Sequence, residues 1–233
     1  MENLNLSEKS KNYYEENDIY EIFSIAEDYP NKIYEYLLPK IKGKIVLDLG
    51  CGTGKFMQKF YNETTKYYGL DLSNEQLNIA KMKINSNDVE FICCSAEDIP
   101  LPDNSVDVII STWVLGTILE IDRRNKVLDE MKRVLKKDGN IYLVDNDIGG
   151  EFEEIRNRYT NIKRTKDYND WIESNNFKVE NKFKTYFQFR DCKEAKNVFS
   201  NIWGADIGNK VRSNIIEQNI VIYTYEILDT KAV

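Results

Sequence analysis

The chain of 233 residues carries 32 lysines and arginines against 39 acids, has no histidine, and holds a formal net charge of −7. That acidic balance argues against general nucleic-acid binding, which depends on neutralising many phosphates with basic side chains. The missing histidine removes the commonest zinc ligand and the commonest general base. With 42% hydrophobic residues the chain is long enough to bury one substantial core.

Taken in chain order, the first residues, Met1 to Glu8, lack the basic start and apolar centre of a secretory signal. The longest mostly apolar stretch, Val106 to Leu119, is too short to span a bilayer and contains Asp107. A cytoplasmic protein without a membrane partner is expected. Tyr13, Tyr14, Tyr20, Phe23, Tyr29, Tyr34 and Tyr36 crowd into a stretch read as helical. The apolar run Ile45 to Leu49, carrying Asp48, predicts a buried parallel strand, and Gly50, Gly52 and Gly54 then let the backbone turn sharply and approach a ligand closely. Gly69-Leu70-Asp71-Leu72 ends a second strand. Asp71 stands 21 residues beyond Gly50, the separation at which a parallel strand returns and offers a carboxylate to a ribose diol.

Ser73-Asn74-Glu75-Gln76 is a capping-box pattern, and Leu77, Ala80 and Ile84 mark one face of the helix it starts. Val89 to Cys93 predicts a third strand, followed by the loop Ser95-Ala96-Glu97-Asp98-Ile99-Pro100-Leu101-Pro102, and Val106 to Ile110 a fourth. Asp122 is placed to cap a helix bearing Val127, Leu128, Met131, Val134 and Leu135, with Gly139 as its left-handed stop before a fifth strand, Ile141 to Val144. Alternating strands and helices with right-handed crossovers imply a doubly wound parallel sheet, with a ligand outside the carboxyl ends of its strands. Asp48, Gly50, Asp71, Asp98, Ser111 and Asp145 all fall at such ends.

The last third has a different pattern. Val179, Asn181, Phe183, Thr185, Phe187 and Phe189 alternate, and Asn219 to Leu228 is a second β-rich run, so a terminal antiparallel pair is expected. Cys192 to Trp203 reads as a helix and Gly204 to Gln218 as partly helical. Eleven basic residues between Arg156 and Lys196 face six acids, a candidate surface for an anionic partner. Cys51, Cys93, Cys94 and Cys192 make no metal or disulfide framework, so mostly buried, reduced thiols are expected.

The glycine spacing decides among nucleoside ligands. A dinucleotide fingerprint needs its third glycine at position 55, where this chain has Lys55. Val46-Leu47-Asp48-Leu49-Gly50-Cys51-Gly52-Thr53-Gly54 instead closely resembles the first motif of class I S-adenosylmethionine-dependent methyltransferases. The Ser95 to Pro102 loop, Asn104 to Ser111 and Leu135 to Leu143 resemble that family's later motifs in order and spacing, over roughly residues 40 to 147. Two positions depart: Lys137 stands where the family often has proline, and Gly116 where many relatives carry histidine or a bulky residue.

The resemblance implies an α/β fold, a Rossmann-like, mostly parallel seven-stranded sheet with a reversed C-terminal hairpin and an N-terminal helical cap. It implies one domain over 1–233, divided into a helical lid (1–42), a cofactor-binding core (43–148), an acceptor-side elaboration (149–218) and a last strand with tail (219–233). S-adenosyl-L-methionine is the implied cofactor, with S-adenosyl-L-homocysteine as product. Its expected contacts are Tyr13, Tyr20, Asp48, Gly50, Cys51, Gly52, Gly54, Asp71, Leu72, Gln76, Ala96, Glu97, Asp98, Ser111, Thr112 and Trp113, with Asp98 ahead of Glu97 for the adenine amino group. Asp145, Asp147 and Tyr14 are the candidates for a base. The implied partner is a small-molecule or peptide acceptor. A non-catalytic S-adenosylmethionine-binding regulator and an RNA methyltransferase are the alternatives, and a nucleotide-sugar or nicotinamide enzyme is a third.

Overall fold

The computed structural model describes residues 17–156 and 162–225. Seven strands form one sheet, β1 (Ile45–Leu49), β2 (Lys66–Asp71), β3 (Val89–Cys93), β4 (Val106–Thr112), β5 (Leu135–Asn146), β6 (Phe177–Gln188) and β7 (Ile215–Tyr225), in the order β3-β2-β1-β4-β5-β7-β6. The first five are parallel, and β7 runs antiparallel to both β5 and β6. The expected sheet with its reversed C-terminal hairpin is therefore present. Strand order reverses between β1 and β4, and this switch point places the glycine turn after β1 beside the end of β4.

The helices are α1 (Asn17–Ala26), α2 (Lys32–Ile41), α3 (Lys55–Phe60), α4 (Asn74–Lys83), α5 (Ile121–Val134), α6 (Glu151–Ile155), α7 (Ile162–Ser174), α8 (Cys192–Trp203) and α9 (Ala205–Gly208). On one face of the sheet, Val127, Leu128, Met131 and Val134 of α5 and Trp171 and Ile172 of α7 pack on Leu47, Leu49, Ile109 and Leu143. On the other, Ile33, Leu37 and Ile41 of α2 and Phe56, Met57 and Phe60 of α3 cover Val46, Val108, Ile110 and Val144. The parallel strands are thus buried on both sides, which is why they read as continuous apolar runs. A third cluster, with Ala26, Phe152, Phe199 and Val198, covers Phe187 and Ile216 at the far end of the hairpin.

Several local expectations are corrected. Glu120, not Asp122, is the N-cap of α5; Asp122 sits in its first turn, where its charge still favours the helix dipole. Gly139 is not left-handed, because α5 stops at Val134 and passes into β5 through Leu135. Gly139 serves close approach instead: a Cβ there would lie 2.6 Å from Leu135 Cδ1 and 2.9 Å from the Asp107 carbonyl oxygen. In β6 the register shifts between Val179 and Asn181, so Val179 is 52% exposed while Thr185 and Phe187 are buried. Such a bulge breaks strict alternation. The final strand begins at Ile215, earlier than its apolar pattern suggested, and residues 226–228 lie outside the described ones. Of the cysteines only Cys51 is buried; Cys93 is exposed and Cys94 and Cys192 are half-buried.

Candidate functional site

The glycine turn forms because Gly50, Gly52 and Gly54 all take positive φ, at 78°, 55° and 79°. Space is short as well: a Cβ on Gly50 would meet Val114 Cγ2 at 2.3 Å, and one on Gly52 would meet the Tyr20 hydroxyl oxygen at 2.9 Å. The turn is held from the next strand. The Gly52 N–H donates to Asp71 Oδ2 at 2.9 Å and the Ser73 N–H to Asp71 Oδ1 at 2.9 Å, while the N–H groups of Gly50 and Cys51 both donate to the Leu70 carbonyl. Asp71 is therefore the clamp of the loop. Burial pushes its carboxyl up, against the downward pull of those backbone donors.

Two enclosed polar atoms, one in the strand before the turn and one in the turn itself, have no partner among the described residues. Asp48, 1% exposed, accepts from the Tyr67 hydroxyl at 3.0 Å through Oδ2. Its Oδ1, and the Oγ1 of buried Thr53, are enclosed with no hydrogen-bond partner among the described residues. Burial pushes the Asp48 carboxyl up to about 7, with the neighbouring Asp71 charge adding to the effect. A buried carboxylate oxygen without a donor is costly unless a ligand supplies one.

The remaining expected contacts gather along the same edge. Leu72, next to Asp71, is 71% exposed, an apolar side chain at the carboxyl end of β2. Ser73 caps α4 by accepting from the Gln76 N–H at 3.3 Å, and Gln76 is buried beside Gly52. In the 95–102 loop the Glu97 carboxylate pairs with Arg123 Nε at 2.6 Å, whereas Asp98 is exposed. That loop is fixed from α5: Arg133 donates to the carbonyls of Ile99 and Leu101, and Glu130 accepts from the Ile99 N–H at 2.7 Å. Ser111 donates to the Leu49 carbonyl at 3.2 Å and is buried, Thr112 ends β4, and Ala96 is half-buried. Trp113 holds φ at 58°, a conformation rare for an aromatic residue and one that persists only where its surroundings enforce it. Here its indole N–H donates to Asn146 Oδ1 at 3.2 Å and its ring stacks near Phe56.

A buried polar group that the sequence did not signal joins α1 to this edge. Lys55, the residue that broke the dinucleotide pattern, donates to the Glu27 carbonyl at 2.7 Å and lies 3.4 Å from Glu27 Oε2. Gln218 Nε2 donates to Glu27 Oε1 at 3.2 Å and to Asn146 Oδ1 at 2.7 Å. Burial pushes the Glu27 carboxyl up and the Lys55 ammonium down, and each restrains the other's shift. Nearby, Asp28 accepts from the N–H groups of Lys32 and Ile33 and from Thr185 Oγ1, tying the start of α2 to β6. Lone acids in the turn between α1 and α2 carry no spacing pattern, so only their partners reveal them.

The candidate bases separate. Asp145, in β5, accepts from the Tyr168 hydroxyl at 2.6 Å through Oδ2. Asp147 is paired with Lys182 at 3.0 Å on the hairpin side. Tyr13 and Tyr14 lie outside the described residues; Tyr20 rests over the glycine turn. Of the basic residues in the last third, Lys182 pairs with Asp147, Lys184 with Glu217, Arg190 with Glu194 and Arg156 with Glu153.

Residues 47–143 match the family model described as a methyltransferase domain. Over that stretch the chain carries a methyltransferase domain. It is 31% identical over 173 residues to an uncharacterized protein of Methanocaldococcus jannaschii, covering 69% of this chain and 63% of that protein. It is 32% identical over 107 residues to the ubiquinone/menaquinone biosynthesis C-methyltransferase UbiE of Campylobacter jejuni, covering 43% of each. The chain thus spans less than two thirds of the length of these curated relatives. Among solved structures, a SAM-dependent methyltransferase from Aquifex aeolicus superposes with a TM-score of 0.58 at 20% identity, over 90% of this chain and 97% of that one. The YcgJ protein of Bacillus subtilis does so with 0.55 at 18%, over 83% and 98%.

S-adenosylmethionine is the cofactor that the sequence motifs imply, and the residues present fit it. The turn is a cradle that Cβ atoms would fill, Asp71 is preset at the strand end, and Asp48 Oδ1 and Thr53 Oγ1 are enclosed polar atoms lacking partners. Among the described residues no helix is long and apolar enough to cross a membrane.

Proposed function

We propose that this protein transfers a methyl group from S-adenosylmethionine to the nitrogen or oxygen of a small-molecule or peptide acceptor. The observation that carries this reading is the Asp71 clamp on the Gly52 N–H, set over the buried, partnerless Asp48 Oδ1. Asp71 would accept from the ribose hydroxyls, Leu72 and Ala96 would flank the adenine, and Asp98 would take its amino group. Gly50, Cys51, Gly52, Gly54, Asp48 and Gln76 would line the amino-acid end, with Tyr20 above it and Ser111, Thr112 and Trp113 along β4. Tyr13 and Tyr14 remain candidates from the N-terminal lid.

The cofactor brings a methyl group already activated on a positively charged sulfur. The protein's task is then to hold the acceptor in line and exclude water, and proximity of this kind supplies much of the rate. No histidine is needed: a neutral amine requires only an exit for a proton, and Asp145 stands at the end of β5 for that task. Asp147, engaged by Lys182, is the second candidate.

Thermal unfolding with S-adenosylhomocysteine, S-adenosylmethionine and NADH, each in excess, tests the cofactor. A ligand at about a hundred times its dissociation constant adds roughly 2.7 kcal/mol, or about 5 to 10 °C for a domain of this size. The two sulfur ligands should raise the midpoint and NADH should leave it unchanged. A rise with NADH alone overturns the reading, and cofactor binding without turnover on any acceptor points to a regulatory module.

A further inference from the structure

Lys55 and Lys59 stand one turn apart on the same face of α3. With Lys83, the last residue of α4, they line a cavity of about 330 Å³ shared with α1 and the 27–31 turn, and its rim carries Ile25, 68% exposed, and Tyr29, 58% exposed. Glu21, Glu27 and Asp28 line it too, but their oxygens are engaged by the protein or enclosed. Asp28, 1% exposed, accepts from the Lys32 and Ile33 N–H groups and from Thr185 Oγ1. Glu27 has Lys55 at one oxygen and Gln218 at the other. Glu21 pairs with Lys83 through Oε1, and its Oε2 is out of contact with solvent. The Lys59 ammonium is in a different position. It donates to the neutral Asn31 Oδ1 and has the Tyr34 ring centre 5.8 Å away, and among the described residues no carboxylate pairs with it. Burial pushes the Lys59 and Lys55 ammoniums down, and the Lys59 charge adds to the effect on Lys55.

We infer that this cavity is a binding site for a phosphate monoester with an apolar body, the phosphate held by Lys59 and Lys55 and the body resting on Ile25 and Tyr29. Its volume is that of a small-molecule site. Each ammonium has three N–H donors, so Lys59 keeps two after Asn31 is served. Lysine is a compact point charge suited to a phosphate dianion, and the charge-assisted hydrogen bonds that result are stronger than neutral ones. A dianion between Lys55 and Lys59 also relieves the repulsion of two like charges one turn apart. A cationic ligand meets that same repulsion with every carboxylate oxygen already engaged or enclosed, and a monocarboxylate brings one charge where the phosphate brings two. The cavity borders the glycine turn: Lys83 donates to the Thr53 carbonyl at 3.0 Å, and Lys55 follows Gly54. Its ligand is a second molecule beside the cofactor, so the inference stands apart from the methyl-transfer reading.

The test titrates the full chain, with and without excess S-adenosylhomocysteine, with phenyl phosphate, inorganic phosphate and benzyl alcohol, read by amide NMR shifts. Phenyl phosphate should shift the amides of Ser24, Asn31 and Lys59 and bind at least about fivefold tighter than inorganic phosphate, with an affinity that S-adenosylhomocysteine changes by less than about twofold. Benzyl alcohol should leave those amides unmoved. Lys59→Gln should lower phenyl phosphate affinity about tenfold, whereas Lys59→Arg, which keeps the charge, should hold it within about threefold. Ile25→Ser should bring the ester down toward inorganic phosphate without weakening the latter. No shift of those amides, an affinity unchanged in Lys59→Gln, or displacement of phenyl phosphate by S-adenosylhomocysteine overturns the site, and inorganic phosphate binding as tightly as the ester overturns the ester assignment. Failure of S-adenosylhomocysteine itself to bind overturns the cofactor reading alone.

Discussion

Replacing Asp71 by alanine separates two roles of one carboxylate. Its two oxygens already hold the Gly52 and Ser73 N–H groups at 2.9 Å each, so the substitution loosens the turn before any ligand arrives. Hydrogen bonds to a charged group are worth about 1.5 to 3 kcal/mol each when buried. Asp71 is half-buried and water replaces part of what is lost, so a total of about 2 kcal/mol is expected. At about 2 to 4 °C per kcal/mol for a chain of this size, the apoprotein midpoint should fall by about 4 to 8 °C. Affinity for S-adenosylhomocysteine should fall by about tenfold or more, since the ribose acceptor is gone and the loop is less ordered; tenfold corresponds to about 1.4 kcal/mol. Thermal unfolding gives the first number and calorimetric titration the second. An unchanged midpoint refutes the clamp, and an unchanged affinity removes Asp71 from the cofactor site whatever the midpoint does.

Glu27→Gln or Lys55→Met alone should destabilise by about 3 to 5 kcal/mol, because each strands a buried partner, while the double variant should cost clearly less than the sum; additive losses in urea unfolding would refute the pairing. Asp48 has its carboxyl raised to about 7 by burial. Its folded form therefore binds a proton more tightly than the unfolded chain does, and its contribution to stability declines as pH rises from about 4 to 7. Compared with wild type, Asp48→Asn should flatten that part of the pH–stability profile and leave the apoprotein relatively more stable at pH 8; parallel profiles would show that Asp48 does not titrate there. Leu72→Ser, at a side chain 71% exposed, should leave the unfolding midpoint within about 1 °C while lowering S-adenosylhomocysteine affinity severalfold, and a fall in the midpoint with unchanged affinity would place Leu72 in the fold rather than the site.

What the sequence determined by itself is what local pattern encodes. Continuous apolar runs mark strands buried on two faces, as Ile45 to Leu49 and Val106 to Ile110 show, and a three-glycine turn with an acid 21 residues on encodes the crossover that pairs Asp48 with Gly69 and brings Asp71 to Gly52. Ser73 capped its helix as its pattern implied, because a cap acts within four residues. Boundaries went astray where a long-range contact outweighed local preference: Gly139 answers to Leu135 and Asp107 rather than to the end of a helix, and the β6 bulge turns Val179 outward. The rest was decided only by tertiary structure. Glu27 meets Gln218 across 191 positions, Asp28 meets Thr185 across 157, and Tyr168 meets Asp145 across a helix and a loop. None of these side chains carries a spacing signature, since each partner sits on a different element. Burial then gives them their character: the same acids and lysine in water would be ordinary charges, and it is their removal from water that shifts Asp48, Glu27 and Lys55.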